Sequence, residues 1–180
     1  FCLHLPSSRR GCTLLPAGGK QPLPTAMKTI RILAVGRLKT PFWLAASQHY
    51  QGRLAHSFRL EEILVKDAPA GASPQERRET EARRLSGAIR PGDIRICLDE
   101  RGTARTSEAF AAFLQGLFHS GRTPCFLLGG PFGLADSLKT RSDHLLSLGP
   151  LTLPHELARV VLLEQIYRAR TILDKTGYHH

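Results

Sequence analysis

Cysteine is scarce and poorly spaced for metal binding. The four present, Cys2, Cys12, Cys97 and Cys125, include no Cys-x-x-Cys pair and no zinc-like spacing, so no metal is expected. Cys97 and Cys125 fall in apolar, strand-like runs and read as small buried hydrophobes of a reduced, cytoplasmic protein. Long apolar runs are also missing. Nothing approaches the roughly 18 consecutive apolar residues of a membrane-crossing helix, which excludes an embedded transporter or channel and any membrane partner. Acidic residues are absent from positions 1–26, and methionine occurs once, at Met27.

These last two gaps coincide with a boundary. Residues 1–26 hold Pro, Gly and Ser without acid, and the first strand-like run starts at Lys28. The expectation is that 1–26 form a non-native or disordered extension and that the domain spans 27–180. Ser8-Arg9-Arg10 has the paired arginines of an export signal, but the apolar run behind it is broken by Pro16, Gly18 and Gly19. Without Arg9, Arg10 and Lys20, 22 basic and 15 acidic residues remain, a net charge of +7 against +10 for the whole chain. Basic character therefore belongs to the domain and points to a polyanionic partner, whose counterions Lys and Arg would release. The charges are dispersed, and Arg77, Arg78, Arg83 and Arg84 fit a solvated helix face equally well.

With 42% hydrophobic and 22% charged residues in 180, one globular domain is affordable. Short runs rich in Ile, Leu and Val alternate with helical patterns. Strands are expected at 28–35, 58–65, 94–98, 124–129 and 144–149, and helices at 41–55, 73–88, 106–119, 134–142 and 154–175. Ser73, Pro74 and Glu76 form a readable helix start, a capping box with proline in the first turn. Such alternation predicts an α/β fold, a parallel sheet with helices on both faces. Ligands then bind beyond the carboxyl ends of the strands. Three loops should converge there: Asp99 to Gly102, Gly129 to Gly133 and Gly149 to Leu153.

Gly129-Gly130-Pro131-Phe132-Gly133 allows close backbone approach and positive φ. It stands at the fourth strand with the wrong spacing for a dinucleotide loop. A KH loop would join two helices, whereas a strand precedes this one. Taken alone, it could be a plain turn. Leu151-Thr152-Leu153-Pro154-His155 opens the last helix, with Pro154 suited to the first turn and His155 either a base or a local hydrogen-bonding group. That helix carries Leu157, Val160, Val161, Ile166, Ala169, Ile172 and Leu173 at helical spacing, a stripe for core or subunit interface. Gly177 releases the chain into Tyr178-His179-His180, which could stack on a base and meet phosphate or could simply fray.

Taken together, Leu128-Gly129-Gly130-Pro131-x-Gly133, Leu151-Thr152-Leu153-Pro154-His155, Arg159, Glu164-Gln165-x-Tyr167-Arg168-Ala169 and the terminal Tyr178-His179 resemble the ribosomal RNA large subunit methyltransferase H family of the SPOUT superfamily. The resemblance runs from Met27 to His180 and includes the Ile32-Leu33-Ala34-Val35-Gly36 strand and Leu98-Asp99. It implies a SPOUT methyltransferase fold with a C-terminal trefoil knot, a homodimer, and S-adenosyl-L-methionine as methyl donor without metal. It further implies methylation at N3 of a pseudouridine in helix 69 of 23S rRNA, with the assembled ribosome as substrate. Donor-binding residues carried over by the match are Leu98, Gly129, Gly130, Gly133, Leu148, Gly149, Pro150, Leu151, Thr152 and Leu153. His179 is the candidate for proton handling and Tyr178 for positioning, the catalytic pair. Arg159, Arg168 and His180 are the candidates for RNA contact. Two departures stand out: the family usually ends in Arg or Lys where this chain has His180, and often has an acid where Phe132 stands. A SPOUT enzyme acting on another RNA, such as tRNA, or a basic RNA-binding protein without activity, would share the charge. Only an enzyme explains the three converging loops.

Overall fold

The computed structural model describes residues 27–174. Five parallel strands form one sheet in the order β2-β1-β4-β3-β5: β1 (Thr29–Val35), β2 (Arg59–Val65), β3 (Asp93–Ala104), β4 (Thr123–Leu128) and β5 (His144–Ser147). The connecting helices are α1 (Pro41–Leu54), α2 (Pro74–Ala88), α3 (Ser107–His119) and α4 (Asp136–Lys139), and α5 (His155–Leu173) follows β5. The expected α/β alternation is present throughout.

Side chains alternate across each strand, so β1 serves two cores at once. Ile30, Ile32 and Ala34 join Leu54 of α1, Phe110 and Leu114 of α3, and Leu162, Leu163 and Ile166 of α5 on one face. Leu33 and Val35 join Ala82 and Leu85 of α2 and Leu138 of α4 on the other. Crossovers between parallel strands keep one hand. The connections β1 to β2 and β3 to β4 run one way along the sheet, so α1 and α3 share a face. Those from β2 to β3 and β4 to β5 run the other way, and α2 and α4 lie opposite.

Two boundaries depart from expectation. Strand β3 does not stop at Leu98 but continues to Ala104, because β5 pairs with it twice: Leu146 stands opposite both Leu98 and Thr103, with Asp99 to Gly102 looped out between. Helix α4 is a single turn, its 134–142 pattern being used up by Ala135 at the start and the turn at Thr140 to Ser142. The cap of α2 is as read. Ser73 Oγ accepts from Glu76 N–H, and the Glu76 carboxylate accepts from Ser73 N–H at 2.8 Å.

At the amino-terminal edge of the sheet, Arg31 is buried and ion-paired with Asp93, and it donates to Ala88 O at 2.8 Å. A buried guanidinium with both a carboxylate and a carbonyl offsets its desolvation. That edge is closed. Cys97 and Cys125 lie buried in β3 and β4, where burial pushes their thiols up to about 11 and about 12. They therefore stay protonated and unreactive.

Candidate functional site

The opposite edge is open. Between β4 and β3 the following helices leave to opposite faces, the switch point at which a crevice must form. A cavity of about 830 Å³ occupies it, walled by the looped-out stretch of β3, by the segments that follow β4 and β5, and by the first turns of α5. The three loops singled out from sequence thus meet in one place.

The β4 wall is a tight turn. Gly133 N–H donates to Gly130 O at 3.0 Å, and Gly133 has φ +75°, a conformation that glycine adopts without strain. Gly129 has no room for a side chain, since a Cβ there would stand 2.5 Å from the Gly133 carbonyl carbon. The missing Cβ of Gly130 faces inward, toward Glu81 Oε2 at 3.0 Å and Val35 Cγ1 at 3.2 Å. Packing beneath the cavity therefore demands a small residue at 130, a constraint that close ligand approach alone would not reveal. Phe132 sits at the corner of the turn, 41% exposed, with the Arg77 guanidinium 4.8 Å from its ring centre.

The β3 wall is the looped-out segment. Asp99 Oδ1 accepts from Arg101 N–H at 3.0 Å, and Asp99 Oδ2 accepts from Lys139 Nζ at 3.0 Å. Lys139 also pairs with Asp136 at 2.8 Å, so this lysine ties β3 to α4. Gly102 lies directly on β5: a Cβ would be 2.7 Å from the Leu146 backbone. Across the cavity, Thr152 Oγ1 donates to Glu100 Oε2 at 2.6 Å, joining this wall to the segment after β5.

On the β5 side, Ser147 closes a small turn. Its hydroxyl donates to Gly149 O at 2.7 Å and accepts from Gly149 N–H at 3.2 Å. Gly149 has φ +143°. Of the ten residues expected to hold the donor, Leu98, Gly129, Gly130, Gly133, Leu148, Gly149, Leu151, Thr152 and Leu153 line the cavity, and Pro150 does not. Arg78, Lys139, Ser147 and His155 also line it, and no sequence motif marked the first three as wall residues. Ser147 had a findable signal, a hydroxyl two residues before a glycine. His155 lies in the first turn of α5. Burial pushes its pKa down, reinforced by the charges of Arg159 and Lys39 and opposed by Glu156 and Asp67.

The arginines expected to meet RNA are placed differently. Arg159 is 2% exposed and points into the fold, donating to Gly36 O at 2.8 Å and Val35 O at 3.3 Å and standing 3.6 Å from Glu62. Its guanidinium closes the carboxyl end of β1 and cannot reach a phosphate from there, so the expectation for this residue is corrected. Arg168 donates to Glu164 Oε1 at 2.6 Å, the preceding turn of the same helix. Tyr178, His179 and His180 lie outside the described residues, as does the 1–26 segment. Among the described residues no group of three or more His, Cys, Asp or Glu side chains is placed to hold a metal, and no helix is long and apolar enough to cross a membrane.

A doubly wound parallel sheet with a cavity at its switch point, walled by close-packed glycine turns, defines an α/β protein built to hold a ligand of nucleotide size. The particular family follows from comparison: the chain belongs to the SPOUT methyltransferases, whose family model, described as "Predicted SPOUT methyltransferase", matches residues 27–179. A ribosomal RNA large subunit methyltransferase H from Nitratidesulfovibrio vulgaris (strain DP4) is 53% identical over 155 residues, 86% of this chain and 99% of that one. The protein of the same name from Lawsonia intracellularis is 44% identical over 154 residues, 85% of this chain and 98% of that one. The SpoU methyltransferase AviRb from Streptomyces viridochromogenes, solved in complex with AdoMet, is a looser likeness: 18% identity over 87% of this chain and 63% of that one, at a TM-score of 0.43.

Proposed function

We propose that this methyltransferase transfers a methyl group from S-adenosyl-L-methionine to N3 of a pseudouridine in helix 69 of 23S rRNA within the assembled ribosome, in the cytoplasm and as a homodimer. The observation that carries the reading is the meeting of the three strand-end segments in one cavity, in a chain whose relatives at 53% identity bear the ribosomal RNA methyltransferase name. The residues present fit the donor. Backbone groups of the Gly129–Gly133 turn and of Leu148 to Leu153 can hold its polar edges, while Leu98, Leu151 and Leu153 offer apolar contact.

The donor's sulfonium supplies an already activated methyl carbon, so the protein's task is alignment and an N3 anion. The neutral walls formed by the glycine turn align the donor. His179 handles the N3 proton and Tyr178 positions the base, the roles carried over by the family match. Arg168 and His180 serve as RNA contacts, Arg168 by exchanging Glu164 for phosphate. A trefoil knot is part of the same reading. Its support is the family match over residues 27–179.

Calorimetric titration with S-adenosyl-L-methionine tests the donor site, and a folded protein that binds none would remove the reading. Methyl mapping of 23S rRNA from cells lacking the protein tests the substrate. Loss of the helix 69 methyl group is expected, and intact methylation there would point to a different RNA. Sedimentation equilibrium gives the subunit count, with twice the chain mass expected.

A further inference from the structure

Lys28, Arg53, Arg105 and Arg77 stand over the rings of Phe118, Tyr167, Phe113 and Phe132. Phe118, Tyr167 and Phe113 are partly buried and packed against the main core. Phe132 is different: it stands at the corner of a turn on the cavity wall, is 41% exposed, and has the Arg77 guanidinium 4.8 Å from its centre. The turn that presents it is fixed by the Gly133 to Gly130 hydrogen bond and by the positive φ of Gly133. Arg77 comes from the first turns of α2, whose start is fixed by its capping box. An apolar ring is thus held outward, at solvent-exclusion cost, by two rigid elements.

Of the acids on the cavity wall, Asp99 and Asp136 are paired with Lys139, and Glu100 accepts from Thr152 Oγ1 across the cavity. Arg78 and Arg101 line the same cavity, and neither makes an ion pair with another described residue. Asp136, the acid whose field reaches both, is engaged by Lys139. An exposed ring with guanidinium groups on the same cavity wall is the arrangement that binds a single-stranded nucleic acid, the ring by stacking on a base and the cations by taking phosphates.

We propose that Phe132, held by Arg77, is a stacking platform for a base of the RNA substrate at the mouth of the donor cavity, with Arg78 and Arg101 taking the adjoining phosphates. This inference rests on the ribosomal substrate proposed above. The ring sets where the strand lies and leaves the methyl donor to the glycine turn, so it governs RNA affinity and not donor affinity. Arg77 is a positioning residue that acts through the ring.

The test is steady-state methyl transfer to ribosomes purified from cells lacking the protein, alongside donor titration. Phe132→Ala should raise KM for ribosomes about five- to tenfold, the lower end of what loss of one base–aromatic stack costs. Its kcat should stay within about twofold, and donor affinity should be unchanged. Phe132→Tyr should restore KM, whereas Phe132→Leu, which keeps bulk without a π-face, should not. Arg77→Ala should raise KM in the same direction and by less. An unchanged KM in Phe132→Ala, recovery by Leu equal to that by Tyr, or a matching loss of donor affinity would each overturn the platform while leaving the ribosomal reading intact. A wild-type protein that binds donor yet transfers nothing to ribosomes would overturn the ribosomal reading and the platform with it.

Discussion

Glu81 shows how much of the site is decided out of sight of the cavity. Its carboxylate is 2% exposed, accepts from Ala68 N–H at 3.1 Å through one oxygen, and leaves the other without a partner beneath Gly130. A buried carboxylate with one hydrogen bond is costly to keep, but its removal strands a buried N–H. Glu81→Ala should therefore lower stability by about 1–3 kcal/mol, read from urea unfolding. His155 carries a second residue-level expectation. With burial pushing its folded pKa below 6.5, the unfolded chain binds the proton more readily than the fold does. The fold keeps its full stability above that value and loses some as pH falls through 6.5 toward the folded midpoint. An NMR titration of the imidazole should give a midpoint under 6.5, and a midpoint at or above it would mean that Glu156 and Asp67 outweigh burial.

At the level of elements, what the sequence makes legible is whatever is decided locally. The start of α2 is written in four residues, Ser73 to Glu76, because a capping box is closed by its own neighbours. The far half of β3 is decided elsewhere. Its pattern, Asp99-Glu100-Arg101-Gly102-Thr103, has the look of a loop, and only the second pairing with Leu146 extends the strand. Gly102 belongs to that hidden register, with Leu146 backbone atoms 2.7 Å from where a Cβ would be. Gly102→Ala should push β5 away from β3, costing about 1–3 kcal/mol as overpacking, and should weaken donor binding because both strands wall the cavity. Melting temperature and donor titration read the two effects together. A variant that loses neither would show that the excursion adapts without disturbing β5.

For the molecule as a whole, the site was more legible than the fold around it. Parallel alternation alone sends every strand-end loop to one edge, so the meeting of Gly129 to Gly133 with Leu148 to Leu153 follows without knowing strand order. The order β2-β1-β4-β3-β5 depends on contacts far apart in sequence, and the burial of Arg159 on the carbonyls of Val35 and Gly36 depends on that order. Charge on a helix gives no warning of which arginine turns inward. Among the described residues the cavity is lined by Arg78 and by positions within 98–158, and this fixes what a truncation must do. Ending the chain after Gly177 removes Tyr178, His179 and His180 while leaving every described wall residue in the chain. Donor affinity should stay within about twofold, and methyl transfer should fall by at least about 10²-fold, the scale of losing a proton-transfer group. Calorimetry and ribosome methylation on the same preparation separate the two. Equal loss of both would mean that the tail is part of the donor site, and equal retention would move proton handling to a residue already inside the cavity, of which His155 is the imidazole in place.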